Sequence, residues 1–391
     1  MVAETKKKWA LPAVKLPRGV IVAICALPAV ITGLFYALRS FAGAMDWAVT
    51  YISAPVRGFF GMLSSVYPFS VTEVLLTVAV VWLIYYIVKT VMVTVRRRGK
   101  IKILGKRLLP VVVAALYAWG LFCWLWLCGY HAPGFARNNG FEGGGVAVGE
   151  LTAVARLFAK KANELAPLMD RNEDGRYVGD RRGMFAASTG AYYWLTDEFP
   201  SLDGRLYTPK SMLFSWLMSR TGYTGMYFAL TGEVNINIRM PVALMPATVA
   251  HEHAHQLGVF SEDEANFVGI AACVTSRITV FEYSGYLKGL MHLMSALHGK
   301  DYESWSEISA GLCDEVLTDW RENYDYWESQ RKVETGVGFL DNILTGITVT
   351  VSDGVDSLYD GFLKSQNQEL GLESYGACVD LLVEYFAREL R

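Results

Sequence analysis

Three long apolar runs dominate the first third of the chain. Gly19–Leu38 is twenty residues without a charge. At about 1.5 Å per helical residue such a run spans about 30 Å, one hydrocarbon thickness. A second run covers Val74–Val95 and contains a single charge, Lys89, near the end where a lysine stem reaches the interface. A third, Leu108–Tyr130, is uncharged and carries Trp119, Trp124 and Trp126 toward its end, as an interfacial belt does. The pattern predicts three transmembrane helices, at 19–38, 74–95 and 108–130. A cleaved signal peptide is the alternative for the first run, but that stretch is long for a signal core and further apolar runs follow.

After Tyr130 the pattern changes. Gly140–Gly149 (GFEGGGVAVG) reads as a hinge, and Glu150–Met169 carries a helical period. Asp170–Asp180 is a polar loop. Its Asp170, Asn172, Asp174 and Gly175 sit at the offsets of a calcium-binding loop, but Arg181 stands where a bidentate glutamate belongs, which favours a plain solvated turn. Glu233–Ile238 alternates strictly: Val234, Ile236 and Ile238 face one way, Glu233, Asn235 and Asn237 the other. That is the signature of a half-buried strand with a wet face. From Glu262 onward the chain reads largely as helices, interrupted at 351–360. The expected architecture is α+β: a membrane anchor over 1–130, then an outer domain over 131–391 with a small, mostly antiparallel sheet and a helical C-terminal lobe.

Charge adds orientation and excludes one class of partner. Lys and Arg total 36 against 38 Asp and Glu, so nothing suggests a nucleic-acid binder. The cations are uneven. Residues 1–18 carry five Lys/Arg and one acid, and residues 96–107 carry seven Lys/Arg and no acid, whereas residues 39–73 carry two of each sign. The positive-inside bias places the N-terminus and the 96–107 loop in the cytoplasm and everything after Tyr130 outside it. The six cysteines are widely spaced and form no CxxC pair, so free thiols are expected.

The chemistry is concentrated in Pro246–Asn266 (PATVAHEHAHQLGVFSEDEAN), which holds three of the six histidines within five residues. His251 and His255 are four apart, so on a helix both rings face one metal, and Glu252 stands beside it. Pro246 suits a first helical turn and Gly258 a left-handed helix end, so the spacing predicts a helix here. Two histidines bind zinc weakly, and a third protein ligand is needed. Glu262 and Glu264 compete for that place. Ser261 and Glu264 have the spacing of a capping box, which gives Glu264 a structural role and leaves Glu262 as ligand, with Asn266 orienting a histidine from behind. His253 should face away from the metal. His292 and His298, not four apart, read as solvated or structural.

HEHAH followed by EDEAN resembles the gluzincin pattern of zinc peptidases. The wider chain is similar to the bacterial membrane family called domain of unknown function 3810. The similarity includes the three apolar helices, a Thr-Gly-rich strand region (Thr224–Phe228, Thr231–Asn235), HE-x-AHQ-x-G, EDEANF and a Tyr-Ser-Gly-Tyr segment at Tyr283–Tyr286. It implies a zincin-like domain, a Zn2+ cofactor and a peptidase-like site. By this resemblance the strand before the zinc helix lines the cleft, making Asn235 and Asn237 candidate substrate contacts. Tyr283 and Tyr286 are candidate donors to the oxyanion of a peptide hydrolysis intermediate. The expected function is a multi-pass cell-membrane protein hydrolysing a peptide or protein substrate outside the cytoplasm. The alternative is a non-catalytic zinc-binding receptor or scaffold that retains the peptidase fold. A transporter is a weaker rival, because three spans with almost no internal charge offer a poor polar path.

Overall fold

Each apolar run forms a helix long and apolar enough to cross a membrane: Arg18–Leu38, Val71–Val95 and Leu104–Tyr130. The computed structural model describes residues 17–96, 100–143, 145–332, 349–350, 353–354, 357 and 375–388. Side chains such as Val78, Val81 and Ile84 point outward, as a lipid-facing helix requires. The second helix runs to Arg96 and the next begins at Lys100. The basic stretch expected as a loop over 96–107 is therefore mostly the opening of the third helix, and 97–99 lie outside the described residues. The interruption expected over 351–360 also falls almost wholly outside them.

The segment between the first two spans is not a simple loop. It forms helices Ala42–Ala48 and Ala54–Ser65, joined by a π-helical turn at Val49–Ser53. A second π turn, Cys123–Leu127, lies near the end of the third span. Such a turn shifts backbone carbonyls out of their usual partners, and the buried Ser53 hydroxyl donates to the Leu125 carbonyl at 2.7 Å. The two irregular turns are thereby held together.

The sheet has three strands in the order β1-β3-β2: β1 (Lys210–Ser211), β2 (Gly225–Phe228) and β3 (Glu233–Ile236). β1 is parallel to β3 and β2 antiparallel, so the sheet is mixed rather than mostly antiparallel, within a mostly helical chain. β3 is central and buried on both faces, which corrects the expected wet face. Its polar side chains meet the start of the second span. The Glu233 carboxylate accepts from Val71 N, Thr72 N and Thr72 Oγ1, satisfying donors that a helix N-terminus leaves open. Ser70 Oγ donates to Asn235 Oδ1 at 2.6 Å. Glu73 reaches the other way and accepts from Leu213 N and Phe214 N. The hairpin between β2 and β3 turns through Gly232 at φ 66°, where a Cβ would lie 2.5 Å from the Arg57 carbonyl oxygen. No side chain fits there.

Behind the sheet, one apolar core joins the motif helix Met245–Leu257 to helices Val148–Leu165, Glu262–Thr275, Thr279–Lys300 and Tyr375–Phe386. The expected hinge is tied into that core, since Phe141 packs against Phe135, Phe199 and Phe267. In the polar loop at Asp170–Asp180, the Asn172 carboxamide accepts from Asp174 N and Arg176 N, Asp180 caps the helix Arg181–Ala187, and no cluster of metal-binding side chains forms among the described residues. The six cysteines are all unpaired.

Candidate metal centre

The motif helix begins with Pro246 in its first turn and ends on Gly258 at φ 98°, as its sequence predicts. Its start is fixed from outside: the buried Ser284 hydroxyl accepts from Ala247 N at 3.0 Å. The following helix, Glu262–Thr275, crosses it at Gly269, where an added Cβ would meet His251 N at 2.7 Å. This close crossing carries Glu262 to the histidines. Glu262 Oε2 lies 3.3 Å from His251 Nε2 and 3.6 Å from His255 Nε2. Donors around a tetrahedral ion with bonds of about 2.0–2.1 Å stand roughly 3.3 Å apart. The three side chains can hold a metal ion, and they are the one such group among the described residues. His251 and Glu262 keep 17% and 24% of their side-chain surface exposed, so the site is open to solvent. Three protein donors leave room for solvent at a fourth position on a tetrahedral ion.

His255 Nδ1 meets the Val259 carbonyl at 2.7 Å, which orients the ring and leaves Nε2 for the metal. The expectation that Asn266 orients a histidine is not met: its side chain lines the cavity, and the carbonyl of Val259 does the orienting. His253 faces away as expected, fully buried between Ser188 Oγ and Gln256 Oε1, and burial pulls it down to about 4. Glu264 has a structural role, though not the expected one. Its carboxylate accepts from Phe135 N and Ala136 N, both at 2.9 Å, and so caps the helix Phe135–Asn138, while Ser261 makes no side-chain cap.

Electrostatics show what a cation would replace. Burial alone would lower the His255 ring, yet the Glu262 and Glu252 carboxylates push it up to about 9. Burial would raise Glu262, yet the His255 and His251 rings hold it well below the usual carboxylate range. Without metal, the imidazolium of His255 supplies the positive charge. The sign follows: below pH 9 a metal must displace that proton, so apparent affinity rises with pH up to about 9. Loading metal-free protein at pH 7 should release about one proton per chain from this ring. Calorimetry in buffers of different ionisation enthalpy reads this, and heat independent of buffer would contradict it.

Glu252 is 5% exposed and lines the same cavity of about 570 Å³. Burial raises its carboxyl. It lies against the edge strand β2, where a Cβ on Gly225 would stand 2.7 Å from Glu252 Oε1. Residues Gly222–Leu230 form one wall, so β2, and not the central β3, presents an edge to the cleft. Asn235 and Asn237 are not brought to the site. Both are fully buried, with Asn237 bonded to Ser219 Oγ, Tyr223 O and Arg239 N. Nor are the two tyrosines. The Tyr283 hydroxyl donates to the buried Asp319, which also pairs with Arg171, and Tyr286 packs edge-on to Phe158. The Tyr-Ser-Gly-Tyr segment acts through packing: besides Ser284, Gly285 lets the helix approach Ile270 O, 3.2 Å from where a Cβ would be.

A family described as Protein of unknown function (DUF3810) matches residues 49–383. The chain belongs to this family. No curated protein and no solved structure matches it. The matched part of this DUF3810 member begins inside the segment between its first two spans, and so includes Arg57. That residue could not be picked out of the sequence, where it counted only as a loop charge. It is buried beneath the motif helix, donating from Nη1 to the His255 carbonyl at 3.1 Å, with its guanidinium over the Phe260 ring. A cation at a helix C-terminus also complements the helix dipole. Trp126 of the third span packs edge-on to the His255 ring at 5.4 Å, and Phe122, Leu125 and Trp126 line the cavity. Arg57→Ala should cost about 1.5–3 kcal/mol of stability, from a charged hydrogen bond and a stranded carbonyl. Denaturant unfolding checks this, and an unchanged midpoint would remove Arg57 from the account.

Proposed function

We propose that this chain is a membrane-anchored zinc metallopeptidase of zincin type. The observation that carries the reading is a carboxylate, Glu252, packed against the edge strand β2 in the same open cavity as the His251-His255-Glu262 triad. A structural metal site has no use for a base in that position. The two-histidine, one-carboxylate donor set suits zinc. Bound there, zinc would acidify a water and polarise a peptide carbonyl. The chain's own residues supply the rest. Glu252 accepts the water proton and delivers it to the departing amine. The free edge of β2 can hydrogen-bond an extended peptide, fixing the scissile bond over the site. The apolar wall of Phe122, Leu125 and Trp126 excludes water on the side of the span.

The loop charges favour a cytoplasmic N-terminus and an extracytoplasmic site. The lining by Phe122, Leu125 and Trp126 supports a cavity close to the membrane surface in that orientation. The rival reading, a zinc-binding receptor or scaffold, predicts the same metal content with no turnover. The test uses the full chain, because a fragment beginning at residue 131 lacks Arg57, Glu73 and Trp126. Purified protein in nanodiscs is given a mixed peptide library, with and without a chelator, and products are read by mass spectrometry. Cleavage abolished by chelation and restored by zinc is expected. Metal-loaded protein that cleaves nothing supports the scaffold reading.

A further inference from the structure

The cavity continues past the ligands to the long helix Thr279–Lys300, which contributes Lys288 and His292. These are four residues apart and therefore share a face. Lys288 is only partly exposed, and its ammonium makes no hydrogen bond or ion pair with any described residue. Asp263 lines the same cavity and, like Lys288, lies within electrostatic reach of the Cys378 thiol. An ammonium withdrawn from water without a counter-charge is unfavourable, and lysines in interiors are normally paired. Burial accordingly pulls Lys288 down from the ordinary lysine range, and it stands in the cavity that also holds the candidate ligands and Glu252. The space, about 570 Å³, is that of a site for a short peptide segment.

We propose that Lys288 is the cation of a carboxylate-binding subsite, so that the preferred substrate is a peptide presenting a carboxylate to this end of the cavity. The inference rests on the peptidase reading for its substrate class and names the specificity of the same site. A peptide carboxylate has two sources, the chain's C-terminus and an Asp or Glu side chain. His292, next to Lys288 on the wall, is a neutral neighbour: burial and the Lys288 charge both hold its ring well below its ordinary range.

The test uses full-length protein in nanodiscs and matched peptide pairs. One arm compares free C-terminal acids with the same peptides as amides. The other compares internal Asp or Glu with Asn or Gln in C-terminally amidated peptides. One arm should show a preference for the acid of roughly ten- to hundredfold in kcat/KM, carried by KM, the size of one charge-assisted hydrogen bond. That arm identifies the source. Lys288→Met should bring the ratio to about one, and Lys288→Arg should keep most of it, since the contact is one charge. A binding readout runs beside it. A dipeptide hydroxamate with a free carboxylate should raise the melting temperature more than its amide in wild type, and equally in Lys288→Met. Equal rates within both sets of pairs, or a preference that survives Lys288→Met, overturns the subsite. Should wild type cleave no peptide at all, the peptidase reading has failed. The hydroxamate pair then decides the subsite alone, and equal shifts in wild type overturn it.

Discussion

Glu252→Gln should lower peptide turnover by about 10²–10⁴-fold while leaving about one zinc per chain, because the substitution removes a base and no ligand. The amide is nearly isosteric with the carboxylate, which matters beside Gly225, where β2 runs against the Glu252 side chain. The loss should fall on kcat, since a proton acceptor contributes in the transition state rather than to substrate binding. Elemental analysis together with steady-state kinetics separates the two quantities. Wild-type turnover in the variant would remove Glu252 from the mechanism. Loss of zinc along with activity would make it a ligand or a structural support instead.

Gly269→Ala should weaken the metal site without touching a ligand. The new methyl would stand 2.7 Å from the backbone nitrogen of His251, and backbone cannot swing aside as a flexible side chain does. Overpacking of this kind costs about 1–3 kcal/mol. The better helix propensity of alanine offsets only about 0.5–1 kcal/mol of that. Relief comes by moving apart the two helices that carry His251 and Glu262, which breaks the 3.3 Å match between their donor atoms. Zinc affinity should fall on the order of 10–100-fold, in the range seen when a ligand's support is lost. Gly299→Ala is the control, for nothing lies within 4 Å of its added carbon. It should be neutral or stabilising. Equal zinc affinity in Gly269→Ala and wild type would show that the crossing does not set the ligand spacing.

What could be read in advance was local. The spacing of His251, Glu252 and His255 is a statement about one helical turn, and Pro246 and Gly258 mark its ends through backbone preferences alone. The three spans follow from run length and the absence of charge. What could not be read depended on contacts far apart in the chain. Arg57 and the His255 carbonyl are separated by 198 positions, and Glu264 and Phe135 by 129. The period of Glu233–Ile238 correctly predicts a strand but not its neighbours. Both edges of β3 are paired, and its polar face is covered by the start of the second span, so a wet face became a buried network. Tyr283 is a similar case, an eligible donor whose hydroxyl is committed to Asp319. Lys288 and His292 did carry a signal, two polar residues four apart on an otherwise apolar helical stretch, although the partner surface was needed to give it meaning.

The account stands on one cation shared by three side chains. Crystals of the full-length protein grown with zinc, measured above and below the zinc absorption edge, test it directly. The expected result is one anomalous peak per chain within about 2.3 Å of His251 Nε2, His255 Nε2 and a Glu262 carboxylate oxygen, with a further position open to the cavity. No peak there, or an ion with all its positions filled by protein, would contradict it.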